Sequence, residues 1–72
     1  MKKAFKVEGI NCANCAEKIS REITNLEGVN SANLSFMFQK LTLDVEAESL
    51  DSVIERSQVI CDKIEPGCKI LV

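Results

Sequence analysis

The sequence predicts a small α+β fold in which one antiparallel four-stranded sheet carries two helices on one face. Two patterns support this prediction. In four stretches apolar and polar residues alternate, which is typical of half-buried strands, and in two stretches apolar residues recur every three to four positions, which is typical of amphipathic helices. The chain has 72 residues, so we expect residues 1–72 to form one domain.

The amino-terminal part of the chain predicts a strand followed by a capped helix. Residues 3–8 alternate between apolar and polar side chains, as expected of the first strand. Asn14, followed three residues later by Glu17, resembles a capping box, so we expect the first helix to begin near Cys15. Its apolar stripe consists of Ala16, Ile19, Ile23 and Leu26. Gly28 is predicted to stop this helix in a left-handed conformation.

The remainder of the chain predicts a hairpin, a second helix and a last strand. The second strand is predicted to bury Ala32, Leu34 and Phe36, and the third Leu41, Leu43 and Val45. Ser49 is suited to cap the second helix. The apolar stripe of that helix consists of Leu50, Val53, Ile54, Ser57, Cys61 and Ile64. Pro66 and Gly67 end the helix, and residues 68–72 form the last strand. The resulting order, βαββαβ, is that of a ferredoxin-like sandwich.

Composition and charge exclude several classes of function. The net charge is −2 and the basic residues are scattered, so we expect no nucleic-acid partner. No apolar run approaches the roughly 20 residues that span a bilayer, so this segment is not expected to insert into a membrane. No signal peptide is recognisable, so we expect a cytoplasmic protein. We also expect the chain to be a monomer. In that reducing compartment cysteine pairs more often bind metal or act in redox chemistry than form structural disulfides.

The pair Cys12 and Cys15 is the strongest candidate for chemistry. It lies where a strand ends and a helix begins, and a helix amino terminus favours the thiolate form that binds metal. Two such sulfurs suit two-coordinate Cu(I), or half of a tetrahedral site for Zn(II) or Cd(II). A dithiol redox module is the alternative, although Ala13 and Asn14 between the cysteines are neither proline nor aromatic. A purely structural zinc module is a third option.

A second pair, Cys61 and Cys68, is predicted at the same end of the domain. A four-thiolate site is therefore conceivable, and a mutual disulfide is a further alternative. We expect core packing instead, because Cys61 falls on the apolar stripe of the second helix and Cys68 shares strand parity with Val72. Glu65 is expected to be a solvated loop charge and is, like these two cysteines, a weaker candidate ligand.

The run Gly-Ile-Asn-Cys-Ala-Asn-Cys-Ala over residues 9–16 resembles the signature of heavy-metal-associated domains, and Leu-Glu-Gly-Val over residues 26–29 fits as well. Such domains are βαββαβ units found at the amino termini of heavy-metal-transporting P-type ATPases and as free metallochaperones. The resemblance implies that Cys12 and Cys15 are the ligands and that metal is transferred by thiolate exchange. The implied partners are another thiol-bearing domain or the membrane part of a P-type ATPase. The chain would not be an enzyme by itself.

The same resemblance indicates which class of metal ion to expect. The family usually has Met where this chain has Ile10, a side chain that packs under the metal loop. Asn11 stands where some zinc-type domains have a ligating Asp, so it is a weaker candidate ligand. The Cys-Ala-Asn-Cys-Ala run and the Ile-Glu-Pro ending look more like the exporters of Zn(II), Cd(II) and Pb(II) than like those of Cu(I). A free cytosolic metallochaperone remains the alternative to a transporter domain.

Overall fold

The computed structural model describes residues 1–71 and confirms the predicted order of elements. The strands are β1 (Lys2–Glu8), β2 (Val29–Ser35), β3 (Lys40–Val45) and β4 (Lys69–Leu71). The helices are α1 (Ala13–Thr24) and α2 (Leu50–Ile64), the latter preceded by a short 3₁₀ turn, Ala47–Ser49. The strands pair antiparallel in the order β2-β3-β1-β4, so the fold is ferredoxin-like. Val72, the last residue of the predicted final strand, lies outside the described residues.

The apolar core lies between the sheet and the two helices. The predicted alternation is confirmed in β3, where Leu41, Leu43 and Val45 are buried, and in part elsewhere: Val7 and Leu34 are buried, and Ala32 is only partly buried. The buried residues of the helices are Ala16, Ile19 and Ile23 of α1 and Val53, Ser57, Ile60 and Cys61 of α2. Ile60 was not part of the predicted stripe, whereas Ile54, which was, is only partly buried. Side chains of both helices thus pack against one face of the sheet.

The predicted start of α1 is wrong by two residues. The helix begins at Ala13, and its N-cap is Cys12, which has extended backbone angles. The Cys12 sulfur accepts a hydrogen bond from the backbone N–H of Cys15 at 3.4 Å, the role that the capping box assigned to the Asn14 side chain. A thiol therefore caps this helix. The capping-box pattern predicted the wrong N-cap residue because it includes only oxygen acceptors and not sulfur.

The other helix boundaries differ from the predictions in smaller ways. Gly28 has the left-handed φ of +89° that was expected, but α1 has already ended at Thr24. The chain leaves α1 through a tighter turn, in which Leu26 N–H bonds to Ile23 O at 3.0 Å. Ser49 does occupy the N-cap of α2, but its side chain makes no capping bond because the 3₁₀ turn runs directly into the helix. Phe36, predicted to be a buried residue of the second strand, is exposed, because β2 ends at Ser35 and Phe36 lies in the turn that follows.

Both free edges of the sheet are covered by polar side chains from the helices. On the outer edge of β2, Ser20 of α1 accepts a hydrogen bond from Leu34 N–H at 2.7 Å. On the outer edge of β4, the Gln58 amide of α2 accepts from Ile70 N–H at 3.0 Å and donates to Cys68 O at 3.1 Å. Such bonds occupy backbone groups that would otherwise be open to pairing with another strand.

Candidate metal site

The loop between β1 and α1 carries Cys12 and depends on a close backbone crossing. Gly9 has a φ of +85°, and a Cβ at this position would overlap the carbonyl oxygen of Gly67 and lie 3.2 Å from the Cα of Cys68. A side chain is excluded here both by the left-handed backbone and by the approach of the α2–β4 connection. The glycine therefore allows the two loops to touch.

The same loop is held in place from two further directions. Ile10 is buried beneath it, and the Ile10 carbonyl accepts a hydrogen bond from Gln39 Nε2 at 3.0 Å. Asn11 N–H donates to Glu65 Oε1 at 3.3 Å. The loop is thus tied to the β2–β3 turn on one side and to the α2–β4 connection on the other, and its conformation is supported without a bound ion.

Cys12 and Cys15 form a close, asymmetric pair at the amino end of α1. Both side chains are partly exposed and both thiols are free. The pKa of Cys12 is lowered from its ordinary 9.0, because its sulfur accepts hydrogen bonds from the Cys15 backbone N–H, from the Cys15 thiol and from the Asn14 N–H. The pKa of Cys15 is raised, first because its thiol donates to Cys12 and second because of burial. Cys12 is therefore the favoured thiolate, and Cys15 holds the proton that the pair shares.

The carboxylate of Glu65 acts on both thiols from across the loop. Its negative charge raises the pKa of Cys12 and of Cys15, although in each case it is a smaller contribution than the hydrogen bonds within the pair. A cation bound between the two sulfurs would reverse this effect, because the carboxylate would then face a positive charge. The arrangement can hold a soft cation between two sulfurs with an oxygen donor nearby.

The remaining candidates are arranged differently. Cys61 and Cys68 are buried in the core with free thiols, as expected of residues that pack there. Asn11 is exposed, and its backbone N–H, rather than its side chain, makes the contact with Glu65. Within residues 1–71, no group of three or more His, Cys, Asp or Glu side chains is arranged to hold a metal ion. The four cysteines form two pairs in this structure rather than a single cluster.

Two contacts that support the loop were not predicted: Gln39 was not singled out in the sequence, and Glu65 was considered only as a solvated charge or a weak ligand. Gln39 and Glu65 reach the metal loop from 29 and 54 positions away along the chain. Gln39 has a φ of +51°, unusual for a residue other than glycine, but no local sequence pattern predicts that conformation.

None of the helices in the described part of the chain has the length and apolar character needed to cross a bilayer.

Comparison with known proteins places the chain among metal-handling domains. The heavy-metal-associated domain family matches residues 4–65. A probable cadmium-transporting ATPase of Listeria monocytogenes is 39% identical over 46 residues, which are 64% of this chain and 6% of that protein. The chain spans less than a tenth of the length of the curated relatives that it matches.

Two solved structures have both the fold and appreciable identity. The first is the N-terminal domain of a potential copper-translocating P-type ATPase from Bacillus subtilis in the Cu(I)-loaded state. It has a TM-score of 0.75 and 29% identity, over 99% of this chain and 84% of that one. The second is the N-terminal domain of ZntA in its Zn(II) form, with a TM-score of 0.70 and 27% identity, over 97% of this chain and 88% of that one.

Proposed function

Because the chain belongs to the heavy-metal-associated domain family, we propose that it binds one soft heavy-metal ion through Cys12 and Cys15 and passes it on by exchange of thiolate ligands. The observation that carries this proposal is the thiol pair at the start of α1, partly exposed and with a backbone N–H of the helix donating to the Cys12 sulfur at 3.4 Å, which lowers the pKa of that thiol. Thiolate is the form of cysteine that ligates metals, so this pair is prepared for binding before an ion arrives.

Transfer requires that a second thiol pair reach the ion. Partial exposure of both sulfurs leaves room for a partner's thiolate to bond the metal while Cys12 and Cys15 are still attached. As the partner's sulfur binds, one of the two sulfurs of this chain leaves, and Cys12 and Cys15 are released in turn. Exchange of one ligand at a time avoids releasing a free ion. The partner would be another thiol-bearing metal-binding domain or the membrane part of a P-type ATPase.

We further propose that the chain is the amino-terminal metal-binding domain of a P-type ATPase that exports Zn(II), Cd(II) or Pb(II), located on the cytoplasmic side. Supporting this, curated relatives include ATPases described as transporting cadmium, or zinc, cadmium and lead. Cu(I) is the alternative cargo, since a copper-transporting ATPase of Rhizobium meliloti is 34% identical over 44 residues. A free cytosolic metallochaperone is the alternative setting.

The position of Glu65 favours divalent ions. Its Oε1 atom accepts a hydrogen bond from the Asn11 N–H of the Cys12 loop, and we propose that the side chain rearranges when a divalent ion binds and adds a carboxylate oxygen to the two sulfurs. Zn(II) and Cd(II) gain from a third, harder ligand, whereas Cu(I) is satisfied by two thiolates. We expect Glu65→Gln to weaken Zn(II) and Cd(II) binding by about tenfold and to leave Cu(I) binding unchanged. Equal effects on all three metals would remove Glu65 from the ligand set.

The central experiment is a competition titration of the reduced chain with Cu(I), Zn(II) and Cd(II) against chelators of known affinity. We expect one equivalent to bind, and the Cys12→Ala, Cys15→Ala double variant to bind none. The matched control is the Cys61→Ala, Cys68→Ala double variant, which should retain the full equivalent. Undiminished binding in the first double variant would refute the proposal. Because the loop is supported by protein contacts, we also expect thermal melts to show a folded chain in the presence of chelator.

A dithiol redox function is the second candidate, and the pKa difference between Cys12 and Cys15 favours it. An attacking thiol with a lowered pKa beside a protonated partner is the arrangement used in thiol–disulfide exchange. Two measurements distinguish metal transfer from redox activity: the reduction potential of a Cys12–Cys15 disulfide and a disulfide-reduction assay. Turnover of a protein disulfide together with weak metal binding would select the redox function.

A further inference from the structure

The second cysteine pair, unlike the first, lies in the core. Cys61 is on the inner face of the last turn of α2, and Cys68 immediately precedes β4. The connection folds back on itself, with Glu65 N–H bonded to Cys61 O at 2.8 Å and Cys68 N–H bonded to Glu65 O at 3.0 Å. This turn brings the two side chains together, and the Cys61 thiol donates a hydrogen bond to the Cys68 sulfur.

The two thiols differ in access to the surface. An open groove of about 430 Å³ lies beside Cys68, and its lining residues are Gln58, Asp62, Gly67, Cys68, Lys69 and Ile70. Cys68 is only 2% exposed, so it forms part of the groove's inner wall. Cys61 does not line the groove and lies behind Cys68 in the core. A small molecule in the groove would therefore meet Cys68 before Cys61.

We propose that Cys61 and Cys68 are a second dithiol, which closes reversibly to a disulfide on reaction with a small-molecule disulfide, with Cys68 as the attacking thiol and Cys61 as the resolving thiol. The Cys68 sulfur, having lost its proton, attacks one sulfur of the reagent, and the reagent's S–S bond breaks to release one thiol. Cys61 then loses its proton and attacks the Cys68 sulfur, releasing the second thiol. The reagent gains two electrons and two protons, and the two cysteines lose them.

The environment of Cys61 and Cys68 slows this reaction but does not prevent it. Burial raises the pKa of both thiols, and the nearby carboxylates of Asp62 and Glu65 raise the pKa of Cys68 further. The hydrogen bond from Cys61 opposes this at Cys68 and stabilises the negative charge on the sulfur that borders the groove. Thiolate is scarce at neutral pH, so we expect the rate to rise with pH and to be far lower than at Cys12.

Closure of the disulfide would also affect the first pair. Glu65 and Gly67 lie between Cys61 and Cys68 in the sequence, and these are the residues that contact Asn11 and Gly9 of the Cys12 loop. A bond between the flanking cysteines restricts the movement of this segment. The oxidised form would therefore hold one wall of the Cys12 loop more rigidly than the reduced form.

The test uses the 72-residue chain with Cys12→Ser and Cys15→Ser, because Ser at position 12 preserves a capping oxygen for α1 and only the second pair remains. The chain is incubated under native conditions with oxidised glutathione, and the products are followed by intact mass and peptide mapping. We expect loss of two thiols and a linked pair of peptides containing Cys61 and Cys68. Dithiothreitol should restore both thiols.

Two additional variants test the assigned roles. With Cys61→Ala added, Cys68 should retain one glutathione adduct, because the resolving thiol is gone. With Cys68→Ala added, Cys61 should form the glutathione adduct at least tenfold more slowly than Cys68 does in the Cys61→Ala variant. Circular dichroism checks the fold, and Cys61→Ser replaces Cys61→Ala if the latter unfolds. The proposal is overturned if both thiols stay free, if the disulfide forms only in denaturant, or if Cys61 traps the adduct as fast as Cys68.

Discussion

The two cysteine pairs use the same residue type at opposite ends of helices and acquire opposite properties. Cys12 and Cys15 lie at the amino end of α1, partly exposed, whereas Cys61 lies in the last turn of α2 and is buried with Cys68. At the start of α1, backbone N–H groups point at the Cys12 sulfur and lower its pKa. At the end of α2, burial raises the pKa of Cys61, and no free backbone N–H opposes it.

This contrast shows that a thiol's chemistry depends on what surrounds it rather than on how many thiols the chain has. Each pair contains one thiol that donates a hydrogen bond to the other, so pairing itself does not distinguish them. The two pairs differ in whether unsatisfied backbone N–H donors and exposure to solvent are found at the accepting sulfur. The first pair is suited to soft cations, and the second is kept protonated.

The largest predicted effect is a difference in alkylation by iodoacetamide. Because Cys12 has a lowered pKa and Cys15 a raised one, the Cys12 rate should level off at a lower pH than the Cys15 rate, which should still be rising above pH 9. Cys61 and Cys68 should react at least about a hundredfold more slowly than Cys12 at pH 7. Peptide mapping between pH 6 and 10 measures all four rates, and in denaturant they should converge. Comparable native rates for Cys12 and Cys61 would invalidate the contrast between the pairs.

A second prediction concerns the glycine that connects the two regions. Gly9→Ala should destabilise the chain by about 3 kcal/mol or more, because the added methyl overlaps the Gly67 carbonyl at an already unfavourable φ. Gly67→Ala is the matched control: its φ is +96° but nothing lies within 4 Å of the added Cβ, so it should cost only about 1 kcal/mol. Urea unfolding measures both changes. Equal costs would mean that the crossing of the two loops is not tight.

A third, smaller effect is expected from removing the charge between the pairs. Glu65→Gln keeps an oxygen to accept the Asn11 N–H but removes the negative charge that raises the pKa of Cys12, Cys15 and Cys68. The variant should therefore contain more thiolate at a given pH, and Cys12 should be alkylated a few times faster at pH 7. Repeating the measurement in 1 M salt should narrow the difference between variant and parent for the exposed pair. A Cys12 rate unaltered by the substitution would argue against this electrostatic coupling.

The smallest predicted effect tests how dry the surroundings of the second pair are. Ser57 lies one turn before Cys61 on α2, is fully buried, and has a hydroxyl without a hydrogen-bond partner among the described residues. Ser57→Ala should leave stability unchanged or raise it by up to about 1 kcal/mol, because an unpaired buried hydroxyl is unfavourable. Ser20→Ala is the control and should lower stability by about 1 kcal/mol, since it leaves Leu34 N–H without its acceptor. A loss at Ser57 as large as that at Ser20 would indicate a bound water.

Much of the fold could be predicted from the sequence because its periodicity is local. Leu41, Leu43 and Val45 alternate over five residues, and their burial follows from strand geometry alone. The position of Cys12 and Cys15 at the junction of β1 and α1 was likewise predictable, since both elements have strong patterns. The exact helix start was not, because a Cys sulfur took the capping role that is usually assigned to an oxygen.

The sequence by itself determined which elements form, in what order, and that two thiols lie where a strand gives way to a helix, because these properties depend on residues within a few positions of one another. Only the tertiary structure decided which thiol in each pair carries the proton, that Glu65 and Gln39 reach the Cys12 loop, and that Gly9 touches Gly67. The physical reason is that hydrogen bonds, burial and charge act through space. Groups separated by 29 to 58 positions in the chain meet only after the sheet and helices have packed.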